Sequence, residues 1–236
     1  NEQEAIFFGL NAERTTLSLD PVNSPARLLN FSRQFGSKYA SISGTLGWAK
    51  DTRDSALWTT RGLLQRANLE VTPAGDLNYY RYSFETSWFH SLSRDLTMMF
   101  RGELSSADGF GGKPLPFFKN YYGGGIGSVR GYSAASLGLR DPVDDAPIGG
   151  NRRVTGNAEL LFPMPGAGLD KSLRLAAFID TGQVYGTGQK MTLSDLRYSS
   201  GLALSWISPL GPIRISIATP LNEKAGDKIQ RAQFTL

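Results

Sequence analysis

Long stretches of this chain alternate apolar and polar residues with a period of two, and this pattern limits the fold more than any other feature. The clearest stretch lies at residues 80–88. Its apolar residues are Tyr80, Tyr82, Phe84 and Trp88, and its polar residues are Arg81, Ser83, Glu85 and Ser87. Successive side chains of a β-strand point to opposite faces, so such a stretch predicts a strand with one apolar face and one wet face.

About ten such stretches occur along the 236 residues, joined by alternating short turns and longer loops. They cover residues 6–12, 39–51, 63–71, 80–88, 96–104, 153–162, 173–185, 197–207, 213–218 and 227–236. The connection at 20–37 also contains a short amphipathic stretch, for which Ser24 is the predicted helix N-cap. The chain is therefore predicted to be all-β, with antiparallel neighbours.

The apolar faces of these strands are too large and aromatic to lie in water, and the sequence offers no helices to cover them. No apolar run approaches the roughly 18 to 20 residues of a membrane-spanning helix. Strands of a transmembrane barrel show this alternation, and Trp48, Trp88 and Trp206 fit its aromatic girdles. We therefore predict about ten strands of an antiparallel transmembrane β-barrel, which could close as a small barrel, stay open or pair with another copy.

Composition argues against several classes of function. Lysine and arginine number 25 against 21 acidic residues, a net charge of +4 without a basic stripe, so nucleic acid is not a predicted partner. Cysteine is absent, which excludes disulfides and thiolate metal sites. His90, the single histidine, lies in a predicted turn, and no Gly-x-Ser-x-Gly motif occurs. We predict no catalytic residues, no cofactor and no metal site.

Two loop features could suggest ligand binding. The glycines at 123–127 lack the Lys-Ser/Thr sequence and the strand-to-helix context of a phosphate-binding loop. The cluster of Asp141, Asp144 and Asp145 is interpreted as solvated loop charge, with calcium binding as the alternative.

The longest connection, residues 105–152, contains a glycine-rich segment that leads to Arg130. A connection of this length inside a compact domain indicates a functional loop. Glycine has much conformational freedom to lose on folding, so something outside the segment must order it. We expect the loop to insert into the polar lumen, where Arg130 meets a carboxylate.

Strand parity identifies the candidate partners of Arg130. In 173–185 the apolar set faces lipid, which sends Phe178, Asp180 and Gly182 to the lumen. In 153–162 the same reasoning sends Asn157 and Glu159 inward. We predict that Arg130 binds Asp180, with Glu159 as a second partner, because one guanidinium can bridge two carboxylates. The alternative is that both acids are ordinary wet lumen residues.

Four segments resemble, in order and spacing, the BamA family of outer-membrane protein assembly factors. The first two form its sixth loop with the VRGF or VRGY motif, and the others its inward-facing F-x-D-x-G strand and its penultimate strand turn. They are Leu115-Pro116-Phe117-Phe118-Lys119-Asn120-Tyr121-Tyr122 with Val129-Arg130-Gly131-Tyr132, then Phe178-Ile179-Asp180-Thr181-Gly182, then Ser205-Trp206-Ile207-Ser208-Pro209-Leu210-Gly211-Pro212.

The resemblance covers essentially the whole chain and implies most of its biology. Residues 1–236 would be the C-terminal portion of a sixteen-stranded barrel, without the periplasmic POTRA domains and first strands. The location would be the outer membrane of a Gram-negative bacterium. The function would be insertion of β-barrel proteins without bond chemistry. The partners would be outer-membrane lipid, unfolded barrel clients and assembly-complex lipoproteins held through the POTRA domains.

The C-terminal strand is the second site. Phe234 and Leu236 share a face opposite Gln233 and Thr235, which is sufficient for barrel closure. In the resembled family this strand also borders a lateral seam at which client strands add by β-augmentation.

Two other functions remain as alternatives. A two-partner secretion transporter of the same superfamily would use the Val-Arg-Gly loop inside a conducting pore. A passive porin would need a wide polar lumen and would have little use for such a loop.

Overall fold

The computed structural model of the protein describes residues 3–22, 24–166, 172–209 and 211–236. It contains helix α1 (Ala26–Phe35), two 3-10 turns (Phe117–Lys119 and Leu193–Asp195) and fourteen strands. The strands are β1 (Glu4–Thr16), β2 (Lys38–Asp51), β3 (Gly62–Gly75), β4 (Tyr79–Ser91), β5 (Thr97–Gly109), β6 (Gly131–Tyr132), β7 (Leu139–Arg140), β8 (Pro147–Gly149), β9 (Arg152–Pro163), β10 (Leu173–Tyr185), β11 (Arg197–Ser208), β12 (Gly211–Pro220), β13 (Ile229–Gln230) and β14 (Ala232–Thr235).

Ten of these strands form one antiparallel sheet, which confirms the predicted fold class and strand count. The order is β1-β2-β3-β4-β5-β9-β10-β11-β12-β14, so successive strands of this sheet are neighbours in space, and only the short strands β6, β7, β8 and β13 lie outside it. Within the described residues, the edge strands β1 and β14 do not pair with each other. Within one chain, the described strands form an open sheet and not a small closed barrel. No described helix is both long and apolar enough to cross a bilayer.

The two faces of the sheet differ as the period predicts. On the outer face Leu202 and Ile217, opposite each other on β11 and β12, are 62% and 65% exposed. On the inner face small polar side chains are buried, among them Ser87, Thr155 and Ser199. Such a sheet exposes its apolar face and buries its polar one, which suits lipid outside and a packed polar interior.

The buried apolar core lies on the inner face, between the sheet and the loops. One cluster contains Tyr39, Leu77 and Tyr79, against which Phe31 and Phe118 pack. The other contains Val129, Tyr132 and Leu137, with Ile229 packed against it. Loop residues thus supply the second layer that a single sheet needs.

Two local predictions are wrong at the level of single residues. Ser24 does not cap α1, because Pro25 is the N-cap residue and the Ser24 hydroxyl accepts a hydrogen bond from the Asp20 amide at 2.9 Å. The long insertion is shorter than predicted, because β5 extends to Gly109 and β9 begins at Arg152. Leu210 of the predicted strand turn lies outside the described residues.

The predicted final strand at 227–236 is divided into two pieces. Its second half, β14, pairs with β12, with Ala232 opposite Ile217. Extending that register would place Ile229 opposite Pro220, which has no amide hydrogen to donate to the ladder. The first half, β13, therefore leaves the sheet and pairs with β6 of the long loop.

Arginine in place of Phe84 or Leu204, two outer-face residues, is expected to cost about 2–4 kcal/mol of folding free energy near the bilayer midplane. Leu160 offers a third outer-face position. The same replacement at Ser83 or Ala203, their inner-face neighbours, should cost less because those side chains do not meet lipid. Folding titrations of the full-length protein into lipid vesicles measure the difference. Equal costs on the two faces would contradict the assignment of the outer face to lipid.

Candidate functional site

The long loop, residues 110–151, lies against the inner face of the sheet and is held there by named contacts. Its Val129-Arg130-Gly131-Tyr132 motif is entirely buried, with Val129 and Tyr132 at 0% exposure. The backbone there requires glycine. Gly131 has φ +90°, and a Cβ on it would lie 3.2 Å from Ala218 Cβ. The motif therefore approaches the sheet more closely than a larger residue would permit.

Arg130 and Asp180 form a two-pronged ion pair. Arg130 Nε donates to Asp180 Oδ2 and Nη2 donates to Oδ1, both at 2.7 Å. The Arg130 amide also donates to Oδ2, at 3.0 Å. Asp180 is completely buried, so these bonds are shielded from solvent and from screening by salt.

Glu159 completes the anchor as a second carboxylate. Its Oε1 accepts from Arg130 Nη2 at 2.6 Å, and its side chain is only 16% exposed. Phe178 faces Glu159 across β9 and β10, and its ring centroid lies 3.4 Å from Arg130 Cζ. The guanidinium thus has two carboxylates in its plane and an aromatic ring on its face.

Gly182 contributes space rather than a bond. A Cβ at this position would lie 2.9 Å from Val129 Cγ2 and 2.8 Å from the Val154 carbonyl oxygen. Any side chain here would push the loop away from the sheet. The structure therefore brings the Arg130 motif together with Asp180, Glu159, Phe178 and Gly182, four of the five inward residues named from the sequence.

Asn157 also belongs to this cluster. Strand parity predicted that it faces inward, but no contact was predicted for it. Its Nδ2 donates to Asp180 Oδ1 at 2.9 Å and to the Ser128 carbonyl oxygen at 3.1 Å. It therefore links the carboxylate to the loop backbone. Parity alone could place Asn157 on the inner face, and the register of β9 and β10 sets it opposite Asp180.

Arg130 carries its full positive charge. Burial by itself lowers the pKa of an arginine, but the hydrogen bonds that Arg130 donates to Asp180 and the charges of Glu159 and Asp180 outweigh it and hold the pKa of Arg130 above its ordinary value. A permanently charged guanidinium against two carboxylates is a fixed anchor at physiological pH.

The terminal segment is bound to the same loop. The Gln233 amide nitrogen donates to the Tyr132 carbonyl oxygen at 2.7 Å, and the Ser133 amide donates to the Lys228 carbonyl oxygen at 2.8 Å. Gln233 faces inward, whereas Phe234 and Leu236 are 74% and 82% exposed. The alternation at the chain end thus separates a loop-binding residue from outward apolar ones.

One ion pair in this region was not predicted from the sequence. Arg197 donates to both carboxylate oxygens of Asp227, at 2.7 and 3.0 Å, and both side chains are 10% exposed. The two residues lie 30 positions apart. The pair fixes the connection that leads into β13.

The other candidate ligand groups are dispersed. Asp141 is buried and accepts from the Val143 amide, whereas hydrogen bonds from Arg140 and Lys228 hold the pKa of Asp145 at about 2. Among the described residues no three acidic, histidine or cysteine side chains converge as a metal site would require. His90 stacks on Trp88, with ring centroids 5.5 Å apart.

Alanine in place of Gly131 is expected to weaken docking of the loop by about 1–3 kcal/mol, because the left-handed backbone and the contact with Ala218 oppose a Cβ. Amide hydrogen exchange of the loop in the full-length protein measures this. Gly127→Ala is the matched control, because a Cβ there meets nothing within 4 Å. Equal effects of the two substitutions would contradict the close approach of the motif.

Comparison with known proteins places this geometry in a family. The model of the Omp85 superfamily domain matches residues 1–236. BamA of Neisseria meningitidis serogroup B, an outer membrane protein assembly factor, is 39% identical over 272 aligned positions, which cover 100% of this chain and 34% of that protein. A mouse homolog of sorting and assembly machinery component 50 is 27% identical, with 76% of this chain and 41% of that protein covered.

The fold is also that of a solved structure. The crystal structure of BamA from Haemophilus ducreyi lacking POTRA domains 1–3 superposes with a TM-score of 0.86 and 27% identity, covering 100% of this chain and 51% of that one. The chain thus spans about a third to a half of the length of these relatives. The bacterial relatives are outer-membrane β-barrel proteins of Gram-negative bacteria, and the same location follows for this chain. The resemblance expected from the loop motif is confirmed, and this chain belongs to the Omp85 superfamily.

Proposed function

We propose that residues 1–236 form the C-terminal portion of the barrel domain of an outer-membrane assembly factor. The whole protein would fold and insert other β-barrel proteins into the outer membrane by templating and by destabilising the bilayer, without making or breaking bonds. Relatives in bacteria and mouse that are named as assembly factors or assembly machinery support this function. POTRA domains and the first barrel strands would lie in other parts of the full protein.

The observation that carries the proposal is the bridge from Arg130 to Asp180 and Glu159. It holds a 42-residue connection, residues 110–151, against the inner face of strands that face lipid on their other side. A passive porin needs an open polar lumen and gains nothing from such an anchor. The anchored loop therefore favours an assembly factor over a passive porin.

The proposed partners follow from the surfaces of the sheet. The outer face meets outer-membrane lipid. Unfolded client strands would add at a sheet edge by β-augmentation, and β14 lies at one edge of the sheet. Additional strands of the full barrel would separate β14 from β1, because unpaired edges inside lipid leave backbone groups unsatisfied. Assembly-complex lipoproteins would bind through the POTRA domains.

Removing either Arg130 or Asp180 is expected to release the part of the loop around the motif while the sheet stays folded, because backbone pairing holds the strands. Arg130→Ala leaves the buried Asp180 charge without its guanidinium, and Asp180→Asn takes one of two carboxylates from Arg130, so the double variant should cost little more than either one. A double-mutant cycle on loop protease sensitivity in the full-length protein should give a coupling of about 0.5–3 kcal/mol. Strictly additive effects would contradict anchoring through Asp180.

The functional test uses full-length variants in cells depleted of their own assembly factor. Arg130→Ala should slow the folding of a client barrel protein, measured by its heat-modifiable electrophoretic mobility. Arg140→Ala is the matched control, because Arg140 lies in the same loop and pairs with the exposed Asp145. Normal client assembly with a released loop would contradict the proposed function.

Conductance tests the passive porin. A two-partner secretion transporter would have the same loop anchored inside its pore, so this measurement separates the porin from both other functions. Planar-bilayer recordings of the full-length protein should show little conductance with the loop anchored and more in the Arg130→Ala variant. A large conductance that is equal in the natural protein and in the variant would favour the porin.

A further inference from the structure

The first part of the long loop makes its own contacts with the sheet, away from Arg130. The segment comprises the 3-10 turn Phe117–Lys119 and the residues up to Tyr122. It lies against β1, β3, β4 and the start of β9. These strands do not carry the carboxylates that hold Arg130, except for β9, whose Glu159 lies near its other end.

Tyr121 is the centre of this segment and is 7% exposed. Its hydroxyl donates to the Tyr82 carbonyl oxygen on β4 at 2.9 Å. Its ring centroid lies 4.8 Å from Arg81 Cζ and 5.7 Å from Arg153 Cζ. Its backbone exchanges two hydrogen bonds with Gly150, at 2.8 and 2.9 Å, so the two ends of the loop are paired at this residue.

Both arginines that contact the ring are themselves fixed. Arg81 lies 3.6 Å from Glu70 Oε2, and Arg153 pairs with Glu103. Arg153 Nη1 also donates to the Tyr122 carbonyl oxygen at 2.9 Å. Because the cations are held in place, the ring meets a preformed site of two guanidinium groups on the inner face.

Lys119 adds a second point of attachment. Its Nζ lies 3.4 Å from Glu13 Oε2 and 3.7 Å from Glu70 Oε1, which belong to β1 and β3. It also lies 5.4 Å from the ring centroid of Tyr79. The Tyr79 hydroxyl donates to Glu70 Oε1 at 2.6 Å and orients that carboxylate. The Lys119 side chain is 16% exposed, so the pairs are partly shielded from solvent.

The same segment holds helix α1 from the β1–β2 connection. The Phe117 ring meets Phe31 of α1 edge to face, with centroids 5.3 Å apart. The Phe118 ring lies 6.1 Å from that of Tyr39 at the start of β2. The segment thus links the loop to α1 as well as to the sheet.

We infer that Tyr121 and Lys119 are positioning residues of a second loop anchor, which binds the β1–β4 side of the sheet independently of Arg130. The two anchors share no partner residue. Together they join the strands before the insertion to the strands after it. Loss of the Arg130 anchor should therefore free residues 123–140 but leave 117–122 in place. A role of this anchor in client assembly would rest on the proposed function, whereas the anchor itself does not.

Amide hydrogen exchange in the full-length protein in lipid separates the two anchors. The amides of Lys119, Tyr121 and Gly150 report on the second anchor, because each donates to a loop carbonyl. Those of Gly125, Ser133 and Leu137 report on the Arg130 part. Tyr121→Leu should speed exchange of the first group by about five- to thirtyfold and leave the second group nearly unchanged. Arg130→Ala should do the reverse.

Conservative variants test the chemistry of the anchor. Tyr121→Phe keeps the ring against Arg81 and Arg153 and should retain most of the protection of the second anchor. Lys119→Arg keeps the positive charge and should retain more of this protection than Lys119→Met. Val143→Ala, at a loop residue that is 81% exposed, is the control and should change neither group.

Three outcomes would overturn the inference. They are unchanged exchange of Lys119, Tyr121 and Gly150 in Tyr121→Leu, equal deprotection of both groups in either variant, and loss of protection in Tyr121→Phe as large as in Tyr121→Leu. None of these measurements depends on client assembly, so their results can be interpreted even if the proposed function is wrong.

Discussion

The buried carboxylate of Asp180 is the interaction on which the inner face depends. Four donors reach its two oxygens, three from Arg130 and one from Asn157. An ionised carboxylate without such donors would be costly to bury, because it loses its hydration and gains nothing in return. The loop and β10 therefore require each other. The loop is held by this ion pair in addition to its apolar contacts, and β10 needs the guanidinium of the loop.

This dependence reflects the unusual position of a sheet with lipid on one face. A soluble sheet buries its apolar face against a second layer, but here that face meets the membrane. Packing must then occur on the polar face, where buried groups need hydrogen-bond partners. The loop provides both kinds of contact, with ion pairs at Arg130 and Lys119 and apolar clusters around Tyr79 and Tyr132.

The loop also reaches the end of the chain. Pro220 interrupts the ladder of β12, and the freed β13 pairs with Gly131 and Tyr132 of the motif. The carbonyl of Tyr132 binds Gln233 of β14. The motif thus touches β10 through Arg130 and the terminal segment through Tyr132. Only Gly131 separates the residues that make these two contacts.

The sequence by itself determined which side chains face lipid and which face inward, because the period of two is a local property of each strand. It also identified Asp180 and Glu159 as candidates for Arg130, since parity places both carboxylates on the inner face. The partners of Tyr121, the pair of Arg197 with Asp227 and the division of the last strand were not predictable in this way. They depend on the path of the loop and on the register between strands distant in sequence. Only the tertiary structure decides these, because no local periodicity encodes which residues meet across a lumen.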